Sequence, residues 1–359
     1  MLAAMKRPLF ALLIAFVVIV ALGTFQSRNE SAQQAAAAAA VDDGVVTINW
    51  MIGHEPIHYF LRAAQTFKDL VEERSHGEIV VNIILPETQD ERIDFRDQAR
   101  GMLESGAVDM MQAYTGTFSN DAKSIYALDT PLLFRDYRHI DAVLEGPVGE
   151  SLIADIDTHT NAKALAFTFS GGYMSFVSSE NDLASLTDLK NLRVPEQGFN
   201  AAGVLLGQLN VTPVPWEAPN GDKYSFWSHL TTGHAQAIEG VYNDAIELID
   251  GGEPISILHS KHRVLFTVLA MNTDVYNSLT EEQQAIVREA AIEAARAERQ
   301  EVEADEARLL SDEKYAQHVH ELSESDRELL EDYAAQAEDA AAEVAGQDLI
   351  DAIKKEAGE

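Results

Sequence analysis

Hydrophobic and polar positions alternate in Val46-Thr47-Ile48-Asn49-Trp50-Met51, and the pattern ends at Gly53-His54. From about Ile57 to Arg74 the period becomes helical, with Leu61, Ala64, Phe67, Leu70 and Val71 recurring at helical spacing. Ile79 to Leu85 reads as a second strand, Ile93 to Ser105 as a second helix and Val108 to Gln112 as a third strand. A β-α-β-α-β order predicts parallel strands joined by right-handed crossovers, hence an α/β layered unit.

Further along, two apolar runs between Leu165 and Val177 flank Gly171-Gly172, a joint at which a chain can pass from one domain to another. Leu192-Arg193-Val194, a helix around Asn200 to Leu209 and a helix ending near Gly233 build a second α/β unit. The long apolar run Val264 to Met271 then returns toward the first. A chain that leaves one α/β domain, builds another and comes back predicts two lobes with a ligand cleft between them. The expected division is 46–170 with 260–310 as lobe I, 171–259 as lobe II, and 311–359 as an acidic C-terminal helical segment. Thr280-Glu281-Glu282-Gln283 reads as a capping-box helix start, and the Ala-rich stretch from Asp326 to Lys355 as solvated outer helices.

With 359 residues and 46% hydrophobic content, the chain is long enough for two cores. Its formal net charge of -33 argues against nucleic acid and anionic membrane surfaces, which are bound by clustered Lys and Arg. A surface this acidic suits a high-salt habitat, where screening weakens self-repulsion. Residues 1–45 read as an export leader: Lys6 and Arg7, an uncharged apolar run from Leu9 to about Phe25, and small residues at Ala35 to Ala40. The apolar run is also long enough for an uncleaved anchor. The chain has no cysteine, so disulfides, thiolate nucleophiles and cysteine metal sites are excluded together.

His54-Glu55-Pro56-Ile57-His58 matches H-E-x-x-H and raises a zinc-dependent hydrolase built on His54, Glu55 and His58 as an alternative function. That chemistry needs both histidines on one helical face. Proline inside a helix costs ~3 kcal/mol but is favoured in its first turn. The run therefore reads as a strand-to-helix junction, with His54 either lining a cleft or structural. The commonest hydrolase, nucleotide and dinucleotide signatures are absent, and no cofactor is expected. Trp216, Tyr224, Phe226 and Trp227 either pack the second lobe or form a cleft wall.

The most informative residue is Arg193, a cation on an otherwise apolar strand-like segment, Leu189-Lys190-Asn191-Leu192-Arg193-Val194-Pro195. In a chain with 59 acidic and 26 basic residues, it pairs either with an internal carboxylate or with a ligand that carries one.

Several segments in order resemble the solute-binding subunit of TRAP transporters, the DctP-type family. They are Gly106-Ala107-Val108-Asp109-Met110, Leu128-Asp129-Thr130-Pro131-Leu132-Leu133-Phe134-Arg135-Asp136-Tyr137, Gly146-Pro147-Val148-Gly149, Gly171-Gly172-Tyr173, the Arg193-Val194-Pro195 segment and Thr212-Pro213-Val214-Pro215. The resemblance runs from about Thr47 to Ala295. It implies a periplasmic binding protein fold that closes without catalysis on a small organic acid and delivers it to membrane permease subunits; a ligand-sensing receptor without a transport role, presenting the acid to a signalling partner, is the alternative. It also implies that Arg193 meets the ligand carboxylate. Where the family often has a basic residue, this chain has Met174; Gln236 stands for the usual Asp and Gly240 for the usual Asn, while Glu239 is kept. These departures favour a ligand with one carboxylate and apolar or hydroxyl-bearing bulk. Met174 is then expected against an apolar part of the ligand. Glu239 is expected to meet a ligand hydroxyl or amine, or to pair with Arg193. Tyr173, Trp216, His54, Tyr114 and Asn243 are the remaining expected cleft residues.

Overall fold

The computed structural model describes residues 45–53, 57–85, 97–180, 182–196, 200–216 and 228–356. The leader, Asn220, Tyr224, Phe226 and Trp227, and His54, Glu55 and Pro56 lie outside them.

The first unit follows the hydrophobic pattern closely. Strand β1 (Val46–Met51), helix α1 (Ile57–Arg74), strand β2 (Ile79–Ile84), helix α2 (Asp97–Glu104) and strand β3 (Met110–Tyr114) appear in the expected order, and β1 pairs in parallel with both β2 and β3. Helix α1 buries Phe60, Ala64, Phe67 and Val71, an apolar stripe at i, i+4, i+7 and i+11. It ends where His76 and Gly77 take positive φ, the Gly77 amide donating to the Glu72 carbonyl at 2.9 Å, a left-handed C-terminal cap.

Helices α3 (Tyr137–Glu145) and α4 (Pro147–His159) lead into β4 (Ala162–Ser178), and the chain returns through β8 (Ser256–Asn272). Between them lie β5 (Arg193–Glu196), α5 (Asn200–Gln208), β6 (Thr212–Pro215), α6 (Ser228–Thr231), β7 (Ile238–Val241) and α7 (Tyr242–Asp250). The glycine joint is not a break between two strands. Gly171 and Gly172 lie inside one 17-residue strand, as an irregularity between Phe169 and Gly172. Both have positive φ, and a Cβ at Gly172 would lie 2.6 Å from Val302 Cγ1 and 2.7 Å from the Tyr137 hydroxyl. No other residue type fits there without displacing a neighbour.

Strands β4 and β8 are antiparallel partners along most of their length, and they tie the two units together. The sheet order among described residues is β2-β1-β3-β8-β4-β7, with β9 (Val319–Glu321) on the same β8 strand. At one end of β8, Thr267 to Met271 pair with β3; at the other, Ile257 to His259 pair with β9. One long ladder thus serves two separate cores. The larger contains Trp50, Phe67, Phe118 and Phe266, and the smaller contains Phe176, Leu186, Val194, Leu205 and Leu258.

Helix α8 (Thr273–Ser278) precedes α9 (Glu281–Ser311), which begins with the expected capping box: the Gln283 amide donates to Thr280 Oγ1 and the Thr280 amide to Gln283 Oε1. At ~1.5 Å per residue this helix spans the molecule against α1 and β4, fastened by Arg62–Glu301, Arg74–Glu293 and Arg299–Asp141. After α10 (Glu313–Ala316) come α11 (Glu324–Ala345) and α12 (Gln347–Lys355). These are not merely solvated. Leu330 belongs to the smaller core, Ala334, Ala337 and Ala341 are buried, and Ile350 and Ile353 join the larger core. The alanines serve as contact residues because a small side chain lets two helices approach closely.

Candidate functional site

Arg193 opens β5 and is half-buried. Its carbonyl accepts from the amides of Gln236 and Ala237, and its own amide donates to Gln236 Oε1 at 3.3 Å. The guanidinium lies over the turn that follows α6: Nε donates to the His234 carbonyl at 3.1 Å and Nη2 to the Gly233 carbonyl at 3.0 Å. Gly233 permits this turn through its φ of +70°. No carboxylate lies within ion-pair distance of Arg193 among the described residues. By contrast, Arg74, Arg100, Arg263 and Arg299, the other described arginines shielded from solvent, each meet Asp or Glu.

Around Arg193 the fold gathers residues that sequence reasoning passed over. The ring of half-buried Trp216 lies 4.9 Å from that of His229, which lies 5.3 Å from that of His234. His234 Nε2 is 3.0 Å from the Pro215 carbonyl, so its proton sits on that nitrogen as donor. The turn that holds the Arg193 guanidinium through its carbonyls thus also carries His234, the end of a row of three rings with His229 and Trp216. Only Trp216 of this group was expected; the histidines carried no spacing signal.

Glu239 does not pair with Arg193. It faces Arg263 from β7, with Arg263 Nε to Oε1 at 2.9 Å and Nη2 to Oε2 at 3.1 Å, and His262 Nε2 also reaches Oε1 at 2.9 Å. Burial pushes the Glu239 carboxyl up, but Arg263 and His262 together outweigh it and hold it down at about 2. Burial pushes the His262 imidazole below its ordinary range, against the pull of Glu239. Its Nδ1 lies 2.8 Å from Ser260 Oγ. Its ring stacks on Phe176 at 4.4 Å.

Met174 is fully buried and stands directly across the ladder from Arg263, so both project from one sheet face. Buried Tyr173 donates its hydroxyl to the Phe134 carbonyl at 3.2 Å and carries the Lys261 ammonium over its ring at 4.3 Å. Tyr114 ends β3, with its hydroxyl 3.0 Å from Ser170 Oγ beside the glycine joint. Asn243 is the second residue of α7. His58 stands in the first turn of α1, its Nδ1 4.0 Å from Glu247. Among the described residues no group of three His, Asp or Glu side chains could hold a metal ion. Of the expected residues, Glu239 holds Arg263 and Met174 stands across the ladder from it, whereas Arg193 lies at the turn after α6 and Tyr173 packs against Phe134 and Lys261.

The family model for bacterial extracellular solute-binding protein, family 7 (DctP), matches residues 53–343. The 2,3-diketo-L-gulonate-binding periplasmic protein of Escherichia coli K12 is 25% identical over 274 residues, 75% of this chain and 79% of the relative. A TRAP periplasmic solute-binding protein from Xanthobacter autotrophicus, solved with β-D-galacturonate, superposes with a TM-score of 0.71 at 22% identity, covering 86% of this chain and 100% of the other. One from Polaromonas, bound to D-erythronate, superposes with a TM-score of 0.71 at 19% identity, covering 88% and 100%. Among the described residues no helix is long and apolar enough to cross a membrane. The two-lobed α/β architecture, the long β4–β8 ladder and the family match agree, and the chain belongs to the bacterial extracellular solute-binding proteins of family 7, the DctP family.

Proposed function

We propose that this protein captures, without catalysis, a small organic acid bearing one carboxylate between its two lobes and delivers it to the membrane subunits of a TRAP-type transporter. One observation carries the reading. Arg193 is shielded, oriented by two backbone carbonyls and left without a carboxylate among the described residues, in a chain of 59 acidic side chains. A guanidinium has five N–H donors, and the carbonyls of Gly233 and His234 take two. The edge spanning Nη1 and Nη2 remains for a carboxylate, which matches it with two parallel bonds.

A single-carboxylate ligand follows from the other end of the site. The sheet face at Met174 holds Arg263, but that guanidinium is already held side-on by Glu239, so it does not replace a second anion-binding arginine. Lobe I comprises 46–170 with 260–310 and lobe II comprises 171–259; closure bends the β4–β8 ladder at its irregularities, between Phe169 and Gly172 and between Met174 and Phe176. The protein acts outside the cytoplasm, exported by the 1–45 leader, either cleaved or retained as an anchor. A thermal-shift screen over mono- and dicarboxylic acids tests the proposal, since a ligand that binds only the folded state raises its Tm by mass action. Monocarboxylates should give the larger shifts, and a screen in which only dicarboxylates stabilise would overturn the single-carboxylate reading.

A further inference from the structure

Resting on the reading that the two lobes close by bending the β4–β8 ladder, we propose that Lys261 and Glu306 form a latch across that hinge, a pair that parts and re-forms as the lobes move.

The latch is built on one face of α9. Glu298, Val302 and Glu306 are buried and stand at i, i+4 and i+8, so they line a single stripe of the helix. Two of them meet the first irregularity of β4. Glu298 Oε2 accepts from the Phe169 amide at 3.0 Å, and Val302 Cγ1 lies 2.6 Å from where a Gly172 Cβ would stand.

Glu306 meets the second. Met174 pairs with Arg263 and Phe176 with Leu258, so His259, Ser260, Lys261 and His262 stand opposite Ser175 alone. A bulge of this kind re-aims side chains. Lys261 takes a φ of +44°, a left-handed backbone that a residue with a Cβ adopts only under constraint. Its amide donates to Ser175 Oγ at 3.3 Å, and the His262 carbonyl beside it accepts from the Leu132 amide at 2.7 Å. The Lys261 ammonium then lies 4.3 Å from the ring centre of Tyr173, 5.4 Å from that of Tyr137 and 2.7 Å from Glu306 Oε1. Glu306 Oε2 accepts the Tyr137 hydroxyl at 2.6 Å. Strands β4 and β8 and helices α3 and α9 thus meet at one cation.

Of the three contacts along the stripe, only this one can open cheaply. The Glu298 bond goes to a buried backbone amide, and the Val302 contact is steric. The Lys261 side chain is long and 33% exposed, so water can take the place of its partner as the pair parts. A glycine at this position would remove the backbone strain but also the cation.

Pulsed electron spin resonance on the ligand-free protein tests the proposal. The chain has no cysteine, so Glu73→Cys on α1 and Lys190→Cys ahead of β5, both at exposed positions, take the only two spin labels. The wild-type protein should give one dominant distance between the lobes. Lys261→Met should raise the population at other distances several-fold. So should Lys261→Met combined with Glu306→Gln, which leaves no stranded carboxylate. Lys261→Arg, which keeps the charge, should stay close to the wild type. Distance distributions identical to wild type in both folded Met variants, or an Arg variant displaced as far as the Met variant, overturn the proposal. Tm alone does not decide, because a merely structural pair would lower it and leave the lobes in place. D-erythronate, D-galacturonate and succinate added to the wild-type protein test the underlying reading separately. At least one should shift the dominant distance; if none does, ligand-driven closure fails, while the variants still decide the latch.

Discussion

Arg263 meets Glu239 side-on inside the protein, Nε to Oε1 at 2.9 Å and Nη2 to Oε2 at 3.1 Å, with both side chains out of solvent. A buried pair of this kind contributes little net stability against a well-packed apolar pair, but removing one partner strands a charge. Arg263→Met alone should therefore destabilise by about 3–5 kcal/mol in urea unfolding. Combining it with Glu239→Gln should recover part of that loss, and a double-variant loss equal to the sum of the two single losses would show that the two side chains act independently.

Glu298 on α9 is buried, with Oε2 accepting from the Phe169 amide at 3.0 Å at the irregularity of β4. Burial pushes its carboxyl up to about 8 from 4.5, outweighing the amide. The folded state thus holds a proton that the unfolded chain has released between those values, so this group lowers stability as pH rises through the window. Glu298→Gln should flatten that fall, gaining stability at pH 8 with little change at pH 4. Glu239 acts with the opposite sign: its contribution is present above pH 4.5 and is lost as pH falls toward 2.

Gly172 and Gly77 share a left-handed backbone, at φ +79° and +83°, but only Gly172 has neighbours where a Cβ would go. Gly77→Ala should cost about 1 kcal/mol. Gly172→Ala adds contacts under 3.0 Å with Val302 and Tyr137 and should cost more, in the range of about 1–3 kcal/mol or above. Equal costs by thermal unfolding would mean that the strand relaxes around the new methyl group.

Leu330 is 1% exposed and sits in the smaller core beside Leu186 and Leu205. Leu330→Ala should destabilise by about 2–5 kcal/mol. An effect within about 0.5 kcal/mol, usual for a surface site, would restore the solvated-helix reading of the C-terminal segment.

The first unit was legible because α1 and β1 carry clean periods of 3.6 and 2, and Thr280 carried a recognisable cap. The continuity of β4 was not, because Gly171-Gly172 signals a turn locally while the ladder to β8 holds the strand together. The C-terminal helices were misread for a related reason: alanine gives a weak hydrophobic signal, and only the partner helix reveals that Ala337 is a contact. Within the site, Arg193 stood out as a charge among apolar neighbours. Arg263 had the same signature in His262-Arg263-Val264-Leu265, but its partner Glu239 lies 24 positions away, a pairing that only strand register discloses.

The most direct test of organic-acid capture is calorimetry on Arg193→Ala with an acid that raises the wild-type Tm. If Arg193 is the anchor, affinity should fall by about 2 kcal/mol or more, roughly 30-fold. Arg193→Lys should recover little of it, because an ammonium lacks the planar fork, and Tm without ligand should change little. An unchanged Kd in Arg193→Ala would contradict the proposed function at its centre.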